Sequence, residues 1–333
     1  NFDTNNVVDF SFMFCDCMML KELNIRSFRT PKAIYMDRMF SGNGLLAEID
    51  VGNFDTSNVK NISGMFFACT KLKEIRVSNF KTDKVLDMSS LFDYVLSLTS
   101  LDVSNFDTSQ VTNMDNMFRF LSEVKSLTLN FNTQKVTSMS SMFEECQSLQ
   151  YLDIKSFDVK NVKKANSLFN NCKSLTSVDL SRFNTENMHD ISYMFHGCSQ
   201  LTSIDLTLFN TKNVENFSYL FNQCSNLTSL DLSSFDTSNG VNMYHMFSSC
   251  EKLRTIKNMN FNTKKVEDMA NMFERCSSLI SLDVSSFDTS NAGDMYFMFG
   301  YCKSLSYLDV SKFKTNLVRD MSHMFDGCEN LSN

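Results

Sequence analysis

Cysteine, histidine and aspartate are the residues of this 333-residue chain with chemistry to offer, and the cysteines and many aspartates fall in register while the histidines are scattered. Ten of the eleven cysteines recur in one column: Cys17, Cys69, Cys146, Cys172, Cys198, Cys224, Cys250, Cys276, Cys302 and Cys328. Val95 and Leu121 stand in that column elsewhere, so it reads as a small apolar core slot whose thiols are buried and free. Cys15 lies outside the column and makes a C-x-C pair with Cys17. Of the four histidines, His189, His196, His245 and His323, only the last two share a column. They are three repeats apart, so no metal cluster is expected and all four read as solvated surface residues. No Ser-His-Asp arrangement, phosphate loop or acid pair stands out, which leaves no catalytic residues and no cofactor to expect.

Two further columns are candidates for binding a partner. Asp153, Asp179, Asp205 and Asp231 recur at strand spacing with serines beside them. On adjacent strands about 4.8 Å apart, such carboxylates repel by roughly 1 kcal/mol per neighbour in water. The row reads either as a groove for a cation or basic ligand or as a strand face kept polar for solvent. The second column holds Tyr193, Tyr219 and His245 in successive repeats, then Phe297 and His323. Aromatics that the apolar face does not need make either a partner-binding patch or rings that lie over their neighbours.

The elements that position these columns come from a repeat. Leading phenylalanines stand at Phe2, Phe28, Phe54, Phe80, Phe106, Phe131, Phe157, Phe183, Phe209, Phe235, Phe261, Phe287 and Phe313, every 26 residues except for the 25 between Phe106 and Phe131. Thirteen copies, the last incomplete, imply a solenoid. With the leading Phe as offset 0, apolar residues at offsets 8, 11, 12 and 15 (Phe217, Leu220, Phe221 and Cys224) have the spacing of one helix face. Asp or Asn at offset 7 suits a helix N-cap, and Gly42, Gly197 and Gly327 at offset 14 suit its end. Leu230 and Leu232 alternate with Asp231 as in a half-buried strand. A threonine column at offset 2 is placed to bridge the backbone between turns. The pattern predicts an α/β fold: a right-handed leucine-rich-repeat solenoid with a parallel sheet of about twelve strands on one face and short helices on the other. Only one proline and no linker or low-complexity segment interrupt it, so residues 1–333 read as a single domain.

The string Leu-Asp-Leu-Ser-Ser-Phe-Asp-Thr-Ser-Asn at 230–239, followed by Met243, Met246-Phe247 and Cys250, resembles the 26-residue bacterial surface protein repeat, or BspA-like leucine-rich repeat, over the whole chain. The resemblance implies a non-enzymatic, surface-displayed role in adhesion or host and matrix contact, at the cell surface or outside the cell, and brings no catalytic residues. A net charge of -7 argues against nucleic acid as partner. No apolar run approaches the roughly 18 residues of a membrane span. The chain begins at Asn1 without an initiator methionine or leader and stops at Asn333 in mid-repeat, so both ends read as cut and uncapped. Three functions are therefore expected in order: a surface interaction or adhesion module binding a protein or surface ligand, a self-assembling structural element, and an intracellular scaffold. For the second, Phe2, Val7 and Phe14 at one end and Phe313, Phe325 and Leu331 at the other are the candidate head-to-tail contacts.

Overall fold

Residues 2–332 are described by the structure, a computed structural model. The chain divides into two compact units, Asn1–Asn161 and Val162–Asn333. In the first, β1 (Glu48–Ile49) pairs in parallel with β2 (Glu74–Ile75), and β3 (Ser126–Thr128) with β4 (Tyr151–Asp153). In the second, β5 (Ser229–Asp231) pairs in parallel with β6 (Thr255–Lys257). Leu127, Leu152 and Leu230 point inward at the centre of their strands, as the alternation requires. The one-residue deletion before Phe131 leaves pairing in register, with Leu127 opposite Leu152.

The short helices and the twelve-strand sheet expected from the sequence are not what the described residues form. Regular strands are confined to these three pairs, and offsets 8 to 15 are a run of turns. The reason lies at offsets 10 and 14, where the backbone is left-handed in repeat after repeat. Tyr193, Tyr219 and His245 have φ of 58°, 58° and 54°, and Gln223 and Ser249 have 60° and 61°. Two left-handed residues four apart cannot sit in an α-helix of L-residues. The amides are shared differently. Those of Phe217, Tyr219, Phe221 and Gln223 donate to the carbonyls of Asn242, Tyr244, Met246 and Ser248 in the following repeat, at 2.8 to 2.9 Å. The amides of Leu220, Asn222 and Cys224 close local turns onto Phe217, Tyr219 and Phe221. A helix this short is marginal on its own, whereas this arrangement joins successive repeats within each unit. The expected N-cap residues do cap: Asn216 Oδ1 accepts the Ser218 amide at 3.1 Å, but it opens a turn instead of a helix. Offset 7 also carries single parallel bridges between repeats, such as Asn216 with Asn242.

Inside, identical side chains stack. In the second unit Phe169, Phe195, Phe221, Phe247, Phe273, Phe299 and Phe325 form a ladder with ring centroids 5.4 to 5.8 Å apart. The first unit has the same ladder from Phe14 to Phe143. The threonine column bridges turns as expected. Buried Thr211 Oγ1 donates to the Asp236 carbonyl at 2.8 Å and accepts the Asp236 amide at 2.9 Å. At the irregular junction before Phe261, left-handed Asn258 (φ 57°) turns Met259 inward, where it is buried one place later than the usual strand residue.

Candidate partner-binding surfaces

The aspartate column is tied first to the backbone. In the second unit Asp179, Asp205 and Asp231 each accept, through Oδ1, the amide two residues on, at 3.0 Å: Ser181, Thr207 and Ser233. Asp231 Oδ1 also accepts Asn258 Nδ2 at 2.9 Å. In the first unit Asp153 accepts the Lys155 amide at 3.2 Å and stands 3.4 Å from the Tyr151 hydroxyl. Each carboxylate thus fastens the turn that follows it, the Asx turn that aspartate makes readily. Bonds from Asn258 and Ser233 hold the Asp231 carboxyl below the usual aspartate range. Asp179, Asp205 and Asp231 are exposed and Asp153 is half-buried. Among the described residues, no three His, Cys, Asp or Glu side chains gather around a point that would hold a metal ion.

The aromatic column is brought together. Tyr193 stacks on Tyr219 with centroids 4.3 Å apart, and Tyr219 on His245 at 4.9 Å, with planes within 14° and 8° of parallel. His196 meets both tyrosines edge-on at 5.6 and 5.9 Å, and Tyr244 meets Tyr219 and His245 at 5.2 and 4.2 Å. Burial, with Tyr244 and Tyr193 beside it, pushes the Tyr219 phenol well up. Further on, Phe297 stacks on His323 at 4.6 Å with Tyr296 at its edge. The left-handed backbone aims these side chains along the outside of the turns, where neighbouring rings cover one another. His196 and His245 are not the solvated residues the sequence led us to expect: the His245 side chain is 17% exposed and Nδ1 of each ring is buried. The cause is the flanking tyrosines.

One cluster in the first unit escapes the sequence reading. Arg119 makes a two-bond pair with the buried carboxylate of Asp93, Nε to Oδ1 at 3.0 Å and Nη2 to Oδ2 at 2.9 Å. Its guanidinium lies over the stacked rings of Tyr94 and Phe120, themselves 4.1 Å apart. Burial raises the Asp93 carboxyl, opposed by Arg119. Asp93 and Arg119 share offset 13 in adjacent repeats, and that was the available signal.

The cysteine column is buried from Cys69 to Cys302, and all eleven cysteines are free thiols. Each buried column Sγ with a described partner, from Cys69 to Cys302, donates to the carbonyl of the offset-12 phenylalanine one repeat earlier, as Cys224 does to Phe195 at 3.1 Å. Asn43 replaces cysteine in the second repeat and keeps the bond, donating from Nδ2 to the Phe14 carbonyl at 2.8 Å. Of the end residues, Phe2 is 73% and Phe325 38% exposed, while Val7, Phe14, Phe313 and Leu331 are half-buried.

Five overlapping stretches, residues 1–100, 46–148, 88–204, 175–277 and 255–333, match the family described as "Mycoplasma protein of unknown function, DUF285". The chain belongs to this family. Several solved structures are similar to the chain. These include a leucine-rich repeat protein from Bacteroides ovatus (18% identity, 88% of this chain and 84% of that one, TM-score 0.44). The pneumococcal vaccine antigen PcpA is similar at 16% identity over 89% of this chain and 77% of that one, TM-score 0.41. A leucine-rich cell surface protein from Faecalibacterium prausnitzii is similar at 14% identity over 90% and 75%, TM-score 0.37. No curated protein matches this DUF285 chain significantly. No helix of the described residues is long and apolar enough to cross a membrane.

Proposed function

We propose that this DUF285 chain is a non-enzymatic interaction module displayed at a cell surface or outside the cell, where it adheres to a protein or surface ligand. The observation that carries this reading is the half-buried stack of Tyr193, Tyr219 and His245 on the outside of the turns. The core does not need these rings, and stacked tyrosines offer a partner large contact area at low entropic cost. The aspartates Asp179, Asp205 and Asp231 are the second surface, since each is exposed where its Oδ1 fastens a turn. Binding of the chain to immobilised matrix proteins and to host cells tests the proposal, with Tyr219→Ala/His245→Ala and Asp179→Asn/Asp205→Asn/Asp231→Asn compared in parallel. Loss in one set assigns the face. Binding that both sets retain rejects both surfaces, and no binding at tens of micromolar rejects the adhesion reading.

The runner-up, assembly by stacking, rests on the amide ladder. Among the described residues, the amides of Met321, His323, Phe325 and Gly327 take no backbone partner and the carbonyls of Asp9, Ser11, Met13 and Cys15 accept no backbone amide. These are the donor and acceptor positions that join successive repeats within each unit, so another repeat fits them, from the same chain or a second copy. Light scattering of the 333-residue chain separates the two functions: a monodisperse monomer at tens of micromolar rules out assembly.

A further inference from the structure

In the second unit one ionisable ring of the aromatic stack sits beside a carboxylate it does not quite reach. His245 Nδ1 is buried, makes no hydrogen bond among the described residues, and lies 3.9 Å from Glu274 Oε2 in the following repeat. That carboxylate is anchored already. Its Oε2 accepts Ser248 Oγ at 3.1 Å and Asn271 Nδ2 at 3.2 Å, and Oε1 faces Arg275 Nε at 3.4 Å. On its other side the His245 ring packs parallel to Tyr219, with Tyr244 against its edge. The ring is therefore shared between a stack, which suits a neutral imidazole, and an anion, which suits a charged one.

We propose that His245 is a proton-operated joint between two repeats: a proton on the ring gives Nδ1 a charged donor, draws it toward Glu274, and opens the Tyr193–Tyr219–His245 stack. A charge-assisted hydrogen bond has N···O of about 2.7–2.9 Å, so closing the 3.9 Å gap takes about 1 Å of movement, which shifts the ring relative to Tyr219. Every group facing the ring enters the balance. Burial opposes the proton most, Glu274 favours it, and a charged His196 opposes it, so the transition falls below the ordinary histidine range. Arg275, paired with Glu274, weakens its pull. The result is a surface with one shape at neutral pH and another in mild acid, as buried histidines permit. Only its consequence for binding rests on the adhesion reading, because the joint itself is measured in the free protein.

The chain has no tryptophan and four histidines, so the near-ultraviolet circular dichroism of tyrosine reports the stack, and imidazole proton resonances can be assigned by substitution. Between pH 7.5 and 5 the tyrosine band should change with the same midpoint as the His245 resonances. His245→Phe, which keeps a stacked ring, should abolish the change. His245→Gln serves if His245→Phe does not fold, as judged by its far-ultraviolet spectrum at pH 7.5. Glu274→Gln should lower the His245 midpoint by half a pH unit or more. The proposal is overturned if His245 titrates while the tyrosine band stays constant, if the band change survives loss of the ring, or if Glu274→Gln leaves the midpoint where it was.

Discussion

Cys224 Sγ donates to the Phe195 carbonyl 3.1 Å away in the preceding repeat, while the Phe195 ring stacks on Phe221 at 5.6 Å. One residue thus holds the next repeat through its backbone and its ring together. Thiols in such a column have no access to solvent, and desolvation pushes Cys69, Cys146, Cys198 and Cys250 up to about 12. At pH 7.5 a maleimide reagent should modify exposed Cys17 readily and leave Cys69 through Cys302 unmodified until denaturant is added without reductant. Mass spectrometry that finds fewer than half of the column free after unfolding would mean that disulfides form.

Phe209 is buried and stacks on Phe235 at 6.3 Å with planes 1° apart. Phe209→Ala removes a full side chain from a core that repeats on both sides and has no slack to close the gap. A loss of about 3 to 5 kcal/mol is expected on urea titration. A loss below about 1 kcal/mol would place Phe209 outside the core.

Thr211 is smaller but holds two backbone groups. In Thr211→Val the shape stays and the hydroxyl goes, leaving the amide and the carbonyl of Asp236 without this partner. An unsatisfied buried group costs about 1–3 kcal/mol, so Thr211→Val should lose about 2 kcal/mol or more, and Thr211→Ser should retain most of it. Equal loss in the two variants would show that the methyl, not the hydroxyl, matters.

These columns explain how much was legible. Burial of the leading Phe, the Met-Phe pair, the cysteine slot and the threonine bridge followed from residue types at fixed offsets, because side-chain burial depends on spacing alone. The helix did not follow. Apolar residues at i, i+3, i+4 and i+7 face one way in a helix and equally in turns that return to the same side, so spacing could not separate the two. The separating signal was present in another column pair: Gly64, Asn116 and Asn271 at offset 10 and Gly42, Asn171, Gly197 and Gly327 at offset 14, the residues that tolerate positive φ. Tyrosine and histidine in the same columns masked it. The aspartate row was legible as a row, but its part in the turns depends on backbone direction two residues on, which composition does not carry.

Acid should loosen the turns. The Asp102, Asp283 and Asp309 carboxyls are held below 3.8 by bonds from Ser104, Ser285 and Ser311, and Asp55, Asp107 and Asp236 likewise by Ser57, Ser109 and Ser238. A folded pKa below the unfolded one means that the unfolded chain binds more protons, so this stability is complete above pH 3.8 and declines as pH falls through the folded values. Asp93 and Asp268, raised by burial, act in the opposite sense: their folded forms keep protons to higher pH, and their contribution falls as pH rises past the unfolded value. The lowered group is larger. Thermal midpoints should therefore drop steeply below about pH 4, and a midpoint that rises between pH 4 and pH 2.5 would contradict the sign.

The left-handed columns give the sharpest test of the turn architecture, because it reverses the order of two small substitutions. Ser249 has φ of 61° and its amide donates to the Glu274 carbonyl at 2.7 Å. In a helix, alanine at this position would be more stable than glycine by about 1 kcal/mol. In the left-handed conformation glycine has no Cβ to clash and alanine keeps the strain, so Ser249→Gly should exceed Ser249→Ala by about 1 kcal/mol. Ser249→Val, β-branched and crowded at positive φ, should be the least stable of the three. Urea midpoints of the three variants decide it. Alanine above glycine would restore the helix that the apolar spacing first implied, and with it a different path for the amides that join one repeat to the next.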